Sequence, residues 1–152
     1  MRSPSLTFFI ERSLLVKIDT NGSFPSRLKE LIQKELIDHI AMDVKAPLEK
    51  YQKVTQSEVD VKDIQKSIDI IKNSNLEYIF RTTIVPGLIK AEDIDKIGNM
   101  LHSSKIYQIQ QFVPITTVDE SYQRKKPLPK EEIQELAGIA KAYFSEVKIE
   151  GV

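Results

Sequence analysis

Short apolar runs alternate along the chain with longer stretches of helical periodicity. Residues 14–18, 39–44, 78–85 and 106–113 are apolar or rich in β-branched and aromatic residues, and turn-forming residues follow, which predicts four strands. Between these runs, apolar residues recur at the spacing of one helix face, which predicts intervening helices. A last helix and a short strand at residues 147–149 complete the predicted pattern.

Local signals support two of the predicted helix starts. Pro25 suits the first turn of the first helix, and Asp60 suits the N-cap of the second. The polar connection at residues 45–60 is longer than a typical strand-to-helix link. Such loops often cover a site, although this one could also be a simple excursion.

The order of the elements predicts an α/β fold. Strands that alternate with helices about thirty residues apart are typical of right-handed crossovers and a mainly parallel sheet. Such a sheet is either doubly wound or part of a barrel. In both folds, ligands bind at the carboxyl ends of the strands, so the polar residues there are the first candidates for a site.

The length predicts one domain over residues 1–152, and the charge balance argues against some classes of partner. Lysine plus arginine and aspartate plus glutamate number 22 each, so no net field favours nucleic acid or an anionic membrane. No apolar run approaches the roughly eighteen residues of a membrane helix, and the apolar segment at residues 5–10 is too short for a signal peptide. We therefore expect a cytoplasmic protein.

The chain contains no cysteine. This excludes thiolate zinc sites, a cysteine nucleophile and any iron-sulfur cluster held by thiolates of these 152 residues. The sequence also has no glycine-rich phosphate loop and no HExxH metal pair. The common hydrolase and nucleotide-binding interpretations therefore lack support.

Asp19, Thr20 and Asn21 follow the first predicted strand. Together they offer a carboxylate, a hydroxyl and an amide, which can bind an ammonium group, a hydroxyl or a hard cation. The alternative is a turn with Asn21 and Gly22 at positive φ and Ser23 as the cap of the next helix. Spacing alone favours the turn.

Asp43 and Lys45 end the second strand and are expected to point to the same face, because they are two residues apart. If Asp19 and Asp43 lie together, their like charges require a cation or a cationic ligand group. The alternative is that Asp43 and Lys45 form an exposed pair that contributes little.

Arg81 lies inside an otherwise apolar strand. Its guanidinium needs a carboxylate, a phosphate-like group or water, and a solvent-facing position at an edge is equally consistent with the pattern. Gln110 and Gln111 end the fourth strand beside Phe112. They could offer an amide and a flat ring to an adenine-like ligand, or they could only tie loops together.

Four sequence motifs occur in a specific order: VKIDTNG at 16–22, AMDVKAP at 41–47, FRTTIVPG at 80–87 and QQF at 110–112. From residue 14 to the C-terminus, this series resembles the radical S-adenosylmethionine activases. More narrowly, it resembles the anaerobic ribonucleoside-triphosphate reductase activating proteins, which are related to the pyruvate formate-lyase activating enzyme. The resemblance implies a partial parallel (β/α) barrel.

The resemblance also implies positions for the ligand. The S-adenosylmethionine pocket it implies is formed by Asp19, Thr20, Asn21, Asp43, Lys45, Arg81 and Gln111. In some relatives, the residues that correspond to Asp19, Thr20 and Asp43 also surround a monovalent cation. Some relatives carry a histidine near the nucleoside. That histidine is absent here, and Thr116 stands at about its position.

The family pattern begins with a CxxxCxxC loop that holds a four-iron (4Fe-4S) cluster, followed by a glycine-rich strand, and both are absent here. Residues 1–13 are atypical and too short for these first strand-helix units. The chain therefore resembles roughly the last two thirds of an activase. It keeps the ligand pocket but lacks the cluster ligands, so catalysis would need a cluster supplied from elsewhere.

By resemblance, the partner of such a truncated activase is a glycyl-radical enzyme such as anaerobic ribonucleotide reductase. The alternative is a non-catalytic module that binds S-adenosylmethionine or another protein. The sheet edge left by the missing strands would favour self-association, because unpaired strands recruit partners.

Overall fold

The computed structural model describes residues 14–115, 117 and 119–152. The expectations for residues 1–13 and for Thr116 lie outside this part of the chain. The strands are β1 (Lys17–Thr20), β2 (His39–Asp43), β3 (Glu77–Ile84), β4 (Ile106–Gln111) and β5 (Glu146–Glu150). The α-helices are α1 (Pro25–Gln33), α2 (Tyr51–Thr55), α3 (Val61–Lys72), α4 (Ala91–Met100) and α5 (Lys130–Ala140), and Leu48–Lys50 and Glu120–Arg124 are 3₁₀ turns. None of these helices is long and apolar enough to cross a membrane.

The five strands form one parallel sheet in the order β1-β2-β3-β4-β5. A doubly wound sheet reverses its strand order at a switch point, and this sheet does not. Right-handed crossovers that always advance in one direction place the helices on one face. The α/β class and the open, partial parallel barrel are therefore confirmed, and the doubly wound alternative is excluded.

The two faces of the sheet differ in chemistry. Alternate strand side chains, such as Ile40, Met42, Phe80 and Ile109, are fully buried in the core on the helix side. Each such side chain contributes about 1.5 to 3 kcal/mol by leaving water. On this side α1 packs against α3, and α4 packs against α5. The opposite face, which we call the open face, carries the polar strand residues described below.

Several element boundaries differ from the prediction. The first strand was expected at residues 14–18, but β1 spans Lys17–Thr20, and Leu14 and Leu15 are 50% and 86% exposed. The reason is register, because the pairs that join β1 to β2 run from Lys17 to Thr20. Apolar character alone does not set that register.

The connections agree with the prediction in part. Asp60 caps α3 as predicted, since its Oδ1 accepts a hydrogen bond from Lys62 N at 2.8 Å. The suggestion that Ser23 caps the first helix is wrong, because the N-cap residue is Phe24 and no side chain bonds there. The long connection at residues 45–60 contains a 3₁₀ turn and α2, so it is an ordered part of the fold.

The buried side chain of Tyr107 allows the packing of the core to be tested through the pH dependence of stability. Its ring is fully buried and stacks on Phe144, with 4.6 Å between the ring centroids. Its hydroxyl has no hydrogen-bond partner among the described residues. Burial raises the pKa of Tyr107 above the ordinary value of 10.0. Stability that depends on the neutral phenol is therefore present below pH 10 and is lost as the pH rises above it.

We expect Tyr107→Phe to change the unfolding free energy little at pH 7, because the ring stays and no hydrogen bond is lost. Between pH 10 and pH 11, the wild-type chain should lose about 1 kcal/mol more than the variant, since its unfolded state ionises there and its folded state does not. Urea titrations at the three pH values measure the difference. Parallel losses in both proteins would show that Tyr107 ionises equally in both states.

Candidate ligand site at the strand ends

The carboxyl ends of β1 and β2 and the middle of β3 bring three predicted site residues together on the open face. Asp43 lies directly opposite Arg81 in the β2–β3 register. Asp19 lies on β1 opposite Ala41, two residues before Asp43. The structure therefore brings Asp19, Asp43 and Arg81 onto neighbouring positions of one face, as the resemblance implies.

Arg81 bridges the two carboxylates. Its Nε donates to Asp43 Oδ1 at 2.9 Å, and its Nη1 lies 3.3 Å from Asp19 Oδ1. The Arg81 side chain is only 15% exposed, so it does not occupy a solvent-facing edge. The guanidinium supplies the positive charge that two adjacent carboxylates need.

Two lysines extend this ion network. Lys45 Nζ donates to Asp43 Oδ2 at 3.0 Å, which confirms that Asp43 and Lys45 share a face. Lys17 Nζ lies 3.7 Å from Asp19, and both side chains are more than half exposed, so this contact contributes little. With two carboxylates and three cationic groups, the network carries one excess positive charge. It therefore suits a ligand that carries a carboxylate better than a free cation.

Thr20 and Asn21 have local roles in the structure. Thr20 Oγ1 accepts from Gly22 N at 3.1 Å, and Asn21 Oδ1 accepts from Ser23 N at 3.0 Å. Gly22 has a φ of +77°, as the turn alternative requires, while Asn21 is not at positive φ. Strand alternation places the Thr20 side chain on the face opposite Asp19. Asn21 also lines the pocket described below.

Gln111 is separated from the ion network. It lies on the helix side of β4, where its Nε2 donates to Leu128 O at 2.7 Å. Of these two neighbouring glutamines, Gln110 lies on the open face, and its Oε1 lies 3.5 Å from Thr83 Oγ1. The structure therefore brings Gln110, and not Gln111, to the face that carries Arg81.

A pocket of 550 Å³ lies beside the network. Lys45 and Thr83 line it from the strand ends, and Tyr51, Val54 and Thr55 line it from α2. Among the described lining residues, Lys45 is the charged one, and the others are polar or apolar. Such a cavity has the size of a small-molecule site and suits a ligand with an anionic group and an apolar part.

The sequence analysis did not identify Tyr51 as a site residue. Tyr51 is 2% exposed, and its hydroxyl contacts both Lys45 N and Asp43 O. Burial raises the pKa of Tyr51, so the hydroxyl is protonated and can donate at neutral pH. In the sequence, Tyr51 is a tyrosine inside a long polar connection, and this position alone does not predict its contacts with Asp43 and Lys45.

The residues present do not fit every group that the resemblance implies. The chain has no cysteine, and the described residues contain no cluster of three or more histidine, cysteine or acidic side chains that could hold a metal ion. For the monovalent cation, Arg81, Lys45 and Lys17 together already outweigh the charge of Asp19 and Asp43, and Thr20 lies on the other face. The cation stays a prediction that no contact supports.

Comparison with known proteins found relatives by sequence and by structure. No protein-family profile matches the chain. The chain is 41% identical over 144 residues to a Methanocaldococcus jannaschii protein that has been assigned as a glycyl-radical enzyme activating enzyme. The match includes 91% of this chain and 60% of the relative, so the chain spans less than two thirds of that protein.

The structural relative is a crystal structure of a domain of the pyruvate-formate lyase-activating enzyme from Bacteroides vulgatus. The TM-score is 0.75 at 17% sequence identity, and the match covers 97% of this chain and 88% of that domain. The two chains therefore share a fold.

Proposed function

We propose that this chain is the S-adenosylmethionine-binding part of a glycyl-radical enzyme activating protein of the radical S-adenosylmethionine type, located in the cytoplasm. The observation that supports this ligand is the network of Asp19, Arg81, Asp43 and Lys45, which joins the ends of β1 and β2 to the middle of β3. It lies where the DTNG, MDVK and RTTIVPG motifs end or begin. The sequence relative and the shared fold support the family.

The chemistry of the network suits the methionine end of S-adenosylmethionine. Lys45 and Arg81 offer positive charge to a carboxylate, and Asp19, which is 61% exposed, offers an acceptor to an ammonium group. The neighbouring pocket would hold the apolar and ribosyl parts. In this family, bound S-adenosylmethionine supplies the 5′-deoxyadenosyl group from which the radical is made.

The radical itself needs an electron from a four-iron cluster, and these 152 residues contain no thiolate to hold one. We therefore propose that any cluster is held by residues outside them. A non-catalytic module that binds S-adenosylmethionine or a partner protein is the second candidate, and the absence of cysteine favours it.

The proposed partner is a glycyl-radical enzyme, and the motif resemblance favours anaerobic ribonucleotide reductase. Self-association through a sheet edge is a weaker proposal. The strands that the resemblance finds missing would pair with β1, which is only four residues long and carries Lys17 and Asp19, and short, charged edge strands oppose pairing with another copy.

Anaerobic reconstitution tests the assignment of the cluster to residues outside the chain. Purified protein is incubated with iron and sulfide, desalted, analysed for iron and assayed for 5′-deoxyadenosine after addition of S-adenosylmethionine and a reductant. We expect no bound iron and no product. A stoichiometric cluster together with 5′-deoxyadenosine would overturn the assignment, because residues of this chain other than cysteine would then hold it.

A further inference from the structure

The end of β2 lacks a neighbouring strand on one side. Val44 N donates to Arg81 O at 2.8 Å, and Val44 O accepts from Thr82 Oγ1 at 2.8 Å, so β3 holds Val44. Successive backbone N–H groups of a strand point to opposite sides, so Lys45 N–H points toward β1. The β1 register ends with Thr20 opposite Met42, and no β1 residue is paired with Lys45.

Tyr51 takes the place of the missing strand partner. Its hydroxyl accepts from Lys45 N at 3.3 Å and donates to Asp43 O at 3.4 Å. One phenol therefore contacts the backbone of Asp43 and Lys45, on both sides of Val44, and the side chains of these two residues form an ion pair in the site. The buried ring leaves the hydroxyl little freedom to move away.

Contacts from the preceding residue hold Tyr51 in place. Lys50 Nζ donates to Leu88 O at 2.7 Å and to Asp93 Oδ2 at 2.6 Å. Leu88 lies between β3 and α4 and lines the pocket, and Asp93 lies in the first turn of α4. The α2 segment is thus joined to β2 through Tyr51 and to the far wall of the pocket through Lys50.

We propose that Tyr51 is a positioning residue that sets the direction of the Lys45 side chain, and with it the ligand-binding geometry of the pocket. Without the hydroxyl, the backbone at Lys45 loses its partner on the β1 side. The Lys45 ammonium group is then no longer held 3.0 Å from Asp43 at the mouth of the pocket. The identity of the ligand rests on the proposed function, whereas the link from Tyr51 to Lys45 does not.

Tyr51→Phe tests the link, with Tyr107→Phe as the matched control. Both tyrosines are buried, but the Tyr107 hydroxyl has no partner in the described part of the chain. In Tyr51→Phe we expect the Lys45 amide to exchange hydrogen about threefold faster by NMR, as for the loss of a long hydrogen bond at the weak end of the usual range. Acylation of Lys45 by a limiting amine reagent, read by mass spectrometry, should also rise about threefold.

Lys66, which pairs with Asp63 at the same 3.0 Å, provides the internal reference for acylation. Its rate should not change in either variant. Titration with S-adenosylmethionine should give a dissociation constant about threefold higher for Tyr51→Phe and unchanged for Tyr107→Phe. Thermal unfolding of both variants checks that they are folded.

The outcomes separate this inference from the proposed function. Unchanged exchange and acylation at Lys45 in Tyr51→Phe would overturn the positioning role, whether or not the ligand binds. Equal S-adenosylmethionine affinity in the wild type and Tyr51→Phe would overturn its importance for the ligand. Faster exchange and acylation in a protein that binds no S-adenosylmethionine would support the positioning role and contradict the proposed ligand.

Discussion

Lys50→Met is expected to lower the free energy of unfolding by about 3 kcal/mol, as for a buried charge that loses its partner. The Asp93 side chain is 8% exposed, and Lys50 is its ion-pair partner at 2.6 Å. Asp93 Oδ2 keeps one hydrogen bond, from Lys90 N at 2.9 Å, but the negative charge would remain buried without a cation. Urea unfolding followed by circular dichroism measures the loss.

The same two elements provide the control for this prediction. Lys96 of α4 pairs with Glu49 beside Lys50, and both of these side chains are more than half exposed. Lys96→Met should therefore leave the unfolding midpoint within experimental error, because exposed ion pairs contribute little. Asp93→Asn should recover most of the loss when it is combined with Lys50→Met. Equal losses for Lys50→Met and Lys96→Met would show that burial does not distinguish the two pairs.

Arg81→Met is expected to lower the free energy of unfolding by about 2 kcal/mol, less than for a fully buried pair because Asp43 and Asp19 are partly exposed. Methionine keeps most of the apolar stem, so the loss reports mainly on charge. Without the guanidinium, Asp19 and Asp43 repel each other across neighbouring strands.

A second substitution separates charge from packing at this position. Asp43→Asn removes one of the two carboxylates, so in the Arg81→Met background it should restore about 1 kcal/mol. The same change in the wild-type chain should be destabilising, since it removes a partner of Arg81. If Asp43→Asn has the same effect in both backgrounds, the two side chains are not coupled.

The strand-helix alternation was sufficient to predict the parallel sheet and to place Asp19 and Asp43 at neighbouring strand ends, whereas the position of Arg81 beside them was implied only by the motif resemblance. Parallel strands place their carboxyl ends at one edge, so residues at those ends meet without further information. The ion pairs themselves depend on register, because Arg81 bonds Asp43 only when those two residues lie opposite each other. Apolar patterning does not fix register at strands that are polar on one face.

Three further features could not be predicted from sequence patterns. Gln110 and Gln111 differ only in the face on which they lie, and a shift of one residue exchanges those faces. Lys50 and Asp93 are 43 residues apart and lie in or beside loops, where no periodicity links them. Tyr51 contacts Lys45 directly, but it lies in a helix of five residues that was not predicted from the sequence.

The most direct test of the account is a calorimetric titration of the wild-type chain with S-adenosylmethionine, alongside Lys45→Met. Lys45 is half-buried and contacts both the ion network and the pocket, whereas Lys17→Met removes an exposed lysine of the same network as a control. We predict binding of one ligand per chain, an affinity at least about tenfold weaker in Lys45→Met, and little change in Lys17→Met. No measurable binding by the folded wild-type chain would contradict the proposal that these strand ends form an S-adenosylmethionine site.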